Sequence, residues 1–138
     1  MKPENRALNR LKPKLKSQLG WYVEKMNNPY RSGTPDWYVE WFGRGGARGI
    51  GWIEAKFWNI KTEGKTEVST QKILDMCTPL QHAWQDRCAQ NGNRIALLCF
   101  FPNTKVAAFF PIPAMYDTTM LLTIPELLLQ LNRWANDE

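Results

Sequence analysis

Between Trp37 and Phe57 the chain alternates with a period of two on both sides of a glycine-rich break, and no other stretch leaves it so little choice of fold. Successive side chains on a strand point to opposite faces. In Asp36-Trp37-Tyr38-Val39-Glu40-Trp41-Phe42, the residues Trp37, Val39 and Trp41 share one face, and Asp36 and Glu40 share the other. In the run from Ile50 to Phe57, Gly51, Ile53, Ala55 and Phe57 make a small apolar face suited to packing on a helix, with Trp52, Glu54 and Lys56 opposite. The intervening Gly43-Arg44-Gly45-Gly46-Ala47-Arg48-Gly49 joins the two runs as a flexible, basic hairpin loop. It is not a nucleotide-binding loop, because no helix start or Lys-Ser/Thr ending follows it. Gly33 and Pro35 stop the chain just ahead of Asp36 and set up the strand entry.

Pairing of the two strands brings Asp36 beside Glu54 and Lys56. Neighbouring carboxylates raise each other's pKa. A hard divalent cation such as Mg²⁺ removes that cost by taking carboxylate oxygens. The plainer reading is a hairpin with a solvated charged face, and Glu-x-Lys on a strand, taken alone, is more often that.

The residues Pro35-Asp36 followed by Glu54-Ala55-Lys56 resemble the PD-(D/E)XK motif of the restriction-endonuclease-like nuclease superfamily. The run Gly33-Thr34-Pro35-Asp36, with Gln81 in a later helix, is similar in particular to the VRR-NUC family, which includes small stand-alone virus and phage nucleases. The resemblance covers roughly residues 30–100. It implies an α/β fold with a restriction-endonuclease-like core, a central mixed β-sheet flanked by helices. It also implies a DNA endonuclease dependent on Mg²⁺ (or Mn²⁺) that hydrolyses phosphodiester bonds. Asp36 and Glu54 would bind the metal, Lys56 would orient or activate the attacking water and steady the phosphate charge, and Gln81 would stand near the metal. In the superfamily the first helix often adds an acid, here Glu4, with Glu24 as its rival. Branched DNA such as a Holliday junction is the implied substrate, and a homodimer the implied assembly. The alternative is a non-catalytic module on the same fold that binds nucleic acid or a host protein, against which the intact Asp36, Glu54 and Lys56 argue.

The 138 residues suit a single domain over 1–138, and a hydrophobic fraction of 43% is enough for a core. A net charge of +5 favours a polyanionic partner. The cysteines at 77, 88 and 99 form no Cys-x-x-Cys, which argues against a disulfide framework and for a reducing compartment. Cys77, His82 and Cys88 fit no common zinc spacing. The polar start lacks the apolar stretch of a signal peptide, and no apolar run is long enough to span a membrane. A cytoplasmic location, in a host cell if the chain is phage-encoded, is the expectation.

Residues 4–19 read as a basic helix, with Ala7, Leu8, Leu11, Leu15 and Leu19 on one side, Pro13 splitting or kinking it, and Gly20 ending it. Arg10, Lys14 and Lys16 are candidate phosphate contacts on its other side. Arg31, beside Tyr30, and the loop arginines Arg44 and Arg48 are further candidates; each has an ordinary solvated role as its rival. A strand is expected over 21–26. Residues 58–75 read as a polar extension or mobile loop, with Gln71 a weaker rival for the site glutamine. Thr78, Pro79 and Gln81 open a helix as a capping box, a role that competes with site duty for the Gln81 side chain. The lone His82 reads as surface or packing. Residues 94–101 and 106–110 read as strands, ended by Pro111 and Pro113. The last helix, over 124–135, starts at the Thr123 cap and carries Leu127, Leu128, Leu131 and Trp134 as a core or dimer stripe.

Overall fold

The first helix, α1 (Pro3–Leu19), begins with proline in its first turn and ends at Gly20, whose φ of 69° is the left-handed conformation that favours glycine. The computed structural model describes residues 1–26, 33–43, 46 and 48–136. Pro13 neither splits α1 nor ends it. The proline is on the exposed side, while Leu8, Leu11 and Leu15 are almost fully buried before and after it. Burial of that stripe outweighs one missing backbone hydrogen bond.

Two strands follow, β1 (Tyr22–Lys25) and β2 (Trp37–Phe42), and then the long β3 (Arg48–Phe57). β2 and β3 form the expected hairpin, in a register that sets Trp37 against Ile53 and Phe42 against Arg48. The glycines of this hairpin do more than loosen a turn. A Cβ on Gly49 would collide with the Trp41 indole, and one on Gly51 would come within 2.8 Å of Trp134. The bare backbone there makes room for packed rings: Trp21 to Trp41 and Trp41 to Trp134 each lie 5.4 Å apart between centroids.

Residues 58–75 are not an open loop. They include β4 (Glu67–Ser69) and the short α2 (Thr70–Leu74), with Val68 and Ile73 buried. Three strand residues and a single helical turn are too short to show periodicity. What holds β4 is pairing with β7 (Thr118–Thr123), a strand that the prolines at 111 and 113 hide in the sequence. Between them come α3 (Pro79–Gln90), β5 (Arg94–Phe100) and β6 (Val106–Pro111), and α4 (Ile124–Asn136) closes the order.

The strands form one mixed sheet in the order β1-β2-β3-β5-β6-β7-β4. The β3–β5 pair is parallel and the other described pairs are antiparallel. Parallel neighbours need a crossover, and residues 58–93, carrying α2 and α3, supply it. α1 and α4 pack with Val39, Ile53, Ala55, Leu98 and Leu122 on one face of the sheet. Ile73 of α2 and Cys77 pack with Leu97, Cys99 and Phe110 on the other. The expected central mixed sheet flanked by helices is therefore present. The α4 stripe belongs to the core, since Leu127 and Leu131 are fully buried. Among the described residues, no helix is long and apolar enough to cross a membrane.

Candidate active site

Asp36 immediately precedes β2, and the hairpin register places it across from Glu54. Its Oδ2 accepts the backbone N–H of Ala55 at 2.8 Å, so β3 itself orients the carboxylate. Glu54 points to the face opposite Ile53 and Ala55 and is only 3% exposed. Burial pushes its pKa up from an ordinary 4.5 to about 8, with the Asp36 charge adding to the shift. Asp36 is also raised, by burial first, against the lowering effects of the Ala55 N–H and of Lys56. The two neighbouring carboxyls oppose each other's ionisation, with Glu54 the more strongly raised.

Lys56, two residues along the same face, has its Nζ 3.5 Å from Glu54 Oε1. It also donates to Gln81 Oε1 at 2.8 Å. Gln81 stands at the start of α3, on the end of the crossover, and its Nε2 donates to Glu54 Oε1 at 2.7 Å. Its Oε1 also accepts the Thr78 N–H at 2.9 Å, while Thr78 Oγ1 accepts the Gln81 N–H at 3.2 Å. The capping box and the site contact, expected to compete, are made by one amide at once. The oxygen serves the cap and Lys56 together, and the nitrogen is left for the carboxylate.

Glu4, in the first turn of α1, is near enough for its charge to raise the pKa of Asp36. Glu24 is exposed on β1 across from Tyr38 and is not among the groups acting on Asp36. The arrangement thus brings together Asp36, Glu54, Lys56 and Gln81, with Glu4 alongside. Gln71 instead donates to Asp75, the residue that caps the end of α2.

Of the basic candidates, Arg10, Lys14 and Lys16 are exposed along α1. Arg48 belongs to β3 rather than to the loop, and its guanidinium pairs with Glu40, which also accepts the Tyr38 hydroxyl at 2.6 Å. Arg31, with Tyr30, and Arg44 lie outside the described residues.

Several contacts here have no sequence signature. The Ala55 N–H is a backbone donor, visible only as the residue between Glu54 and Lys56. Gly33, at φ +89°, lies so close to the Leu80 carbonyl that a Cβ there would meet it at 2.5 Å. The segment leading to Asp36 thereby abuts the helix start that carries Gln81. Tyr38, Trp52 and Trp84 meet edge-on at 5.1 and 5.0 Å between centroids and carry the sheet face from the site across to α3.

The donor set fits a hard divalent cation. Asp36 and Glu54 offer carboxylate oxygens at a place where two like charges oppose each other, and Mg²⁺ is commonly held by one or two carboxylates with water and substrate phosphate completing its shell. Among the described residues, no group of three or more His, Cys, Asp or Glu side chains is gathered as a self-sufficient metal cage.

No protein-family profile and no curated protein matches the chain. Among solved structures, the chain is similar to a VRR_NUC domain, with 23% identity, a TM-score of 0.47 and coverage of 71% of this chain and 84% of that one. It is also similar to Hjc of Archaeoglobus fulgidus, a Holliday junction resolvase from an archaeal hyperthermophile, with 16% identity, a TM-score of 0.45 and 92% of each chain covered.

Proposed function

We propose that the protein is a metal-dependent endonuclease that hydrolyses phosphodiester bonds in DNA. The observation that carries this reading is the convergence of Asp36, Glu54, Lys56 and Gln81 on one face of the sheet, around a buried glutamate whose Oε1 meets both the Gln81 amide and the Lys56 ammonium. A structural charge cluster has no use for a buried carboxylate pair, which is costly without compensation. Asp36 and Glu54 would hold Mg²⁺ or Mn²⁺, with Glu4 adding negative charge from α1; the bound metal supplies Lewis acidity and a lowered pKa for coordinated water.

The remaining work falls to the chain's own groups. The Lys56 ammonium steadies negative charge developing on a phosphate oxygen and orients the attacking water. Gln81 holds Lys56 and Glu54 in register through opposite ends of one rigid amide. The Ala55 N–H keeps Asp36 aimed at the same point. Arg10, Lys14 and Lys16 lie along one helix, where phosphate contacts would displace counterions. Resemblance of the motif supports branched DNA as the substrate and a homodimer as the working form. Sedimentation at twice the chain mass is the expected result for the latter.

The direct test uses a labelled four-way junction with Mg²⁺ and, separately, Mn²⁺. Wild-type protein should cut it, and Lys56→Ala should lower the rate by about 10²-fold or more while still binding the junction. Binding without cleavage by the wild type in either metal would overturn the reading in favour of a binding module.

A further inference from the structure

On the α1 side of the sheet, around the end of β3 from the carboxylates, lies a groove of about 350 Å³. Pro3, Arg6 and Arg10 form one wall, and Phe57, Phe101 and Thr104 are on the other. The volume is in the range of small-molecule pockets and suits one nucleotide unit. Among the described residues, no carboxylate lines the groove. Arg6 and Arg10 are one helical step apart on the same side of α1. Both are exposed, and neither has an ion pair among the described residues. Phe101 is buried, but Phe57 is half-buried, leaving ring surface open to the groove.

The groove is joined to the proposed site through the chain itself. Phe57 directly follows Lys56, and Pro3 and Arg6 bracket Glu4, whose charge acts on Asp36. Two exposed guanidiniums over an apolar floor with one accessible ring match a nucleotide, its phosphate on the arginines and its base against Phe57. Paired bases present no free ring face, so the match is to an unpaired nucleotide.

We infer that this groove is a subsite for an unpaired nucleotide of the substrate strand, and that it selects DNA with a splayed or single-stranded arm next to the cut. This rests on the nuclease reading for the cut itself, but the binding step does not depend on it.

The test measures affinity for a fluorescent splayed-arm DNA and for a blunt duplex of the same sequence, in EDTA so that nothing is cut. The wild type should prefer the splayed arm by about tenfold, in keeping with one stacked base. Phe57→Leu should abolish most of that preference. The double variant Arg6→Gln with Arg10→Gln, both exposed positions, should lower the slope of log affinity against log salt by about 1.4, the value for two single-strand phosphates. Equal affinity of the wild type for both DNAs, or an unchanged preference and salt slope in the variants, would overturn the subsite. If Phe57→Leu leaves the preference unchanged and cuts junction DNA like the wild type, the nuclease reading would survive the loss of the subsite. Groove-dependent binding by a wild type that cuts nothing in Mg²⁺ or Mn²⁺ would sustain the subsite and remove the nuclease reading.

Discussion

Glu54 holds its proton more tightly in the folded chain than in the unfolded one, and this has a definite sign. Its pKa lies near 8 when folded against an ordinary 4.5. Between those values the folded state keeps a proton that the unfolded state has released, so metal-free stability falls as pH rises through that window. Urea midpoints should therefore be higher at pH 5.5 than at pH 8.5. Glu54→Gln, which keeps the shape and removes the titration, should flatten the difference and be the more stable protein at pH 8.5. An equal pH slope in both would show that another group sets it. This residue was half-legible in the sequence. Its alternation with Trp52 and Lys56 put it on the correct face, but nothing in the order of residues said that the face would be covered. Burial came from Gln81 and its helix, 27 positions away.

At the scale of elements, the start of α3 does two jobs that substitutions can separate. Glutamate serves a capping box at its third position as well as glutamine does. Gln81→Glu should therefore keep the cap of α3 but replace the donor facing Glu54 with a third carboxyl, lowering the cleavage rate and lowering the melting temperature more at pH 8.5 than at pH 5.5, as carboxylate repulsion does and a lost cap does not. Thr78→Ala should instead spare the rate. It removes the side-chain cap, costing about 1 kcal/mol, yet leaves the Thr78 N–H to hold the amide. Thermal melts beside single-turnover kinetics check both, and parallel losses in the two variants would mean that cap and clamp are inseparable. The capping sequence itself was plain from Thr78, Pro79 and Gln81. What sequence reasoning missed is that an amide has two ends, so the roles need not compete. β4 and β7 were missed for another reason: each is short, and each is defined mainly by the other, which a local pattern cannot show.

For the whole molecule, the proposed metal site should act as a ligand linkage. A cation that binds the folded chain alone adds about 2.7 kcal/mol at a hundredfold excess over its Kd. Mg²⁺ or Mn²⁺ should raise the melting temperature of the wild type at pH 8.5, where a carboxylate pair is most strained, and leave Glu54→Gln largely unmoved. An identical rise in both would place the cation elsewhere. The layered sheet and its helical cover were readable from the alternation in β2 and β3, the continuous apolar run of β5 and the Leu127–Leu131 stripe. The choice between Glu4 and Glu24 was not, since it depends on how α1 lies across the sheet. Its aromatic rings add one practical outcome. Trp52 on β3 and Trp84 on α3 touch edge-on beside the carboxylates, while Trp21, Trp41 and Trp134 form a separate group with α4 on the other face. The two groups give the chain two sets of coupled rings, beside Trp37 and Trp58. Trp84→Phe would silence the one that watches α3 seat against β3, so near-ultraviolet circular dichroism could time the closing of the site without any attached dye.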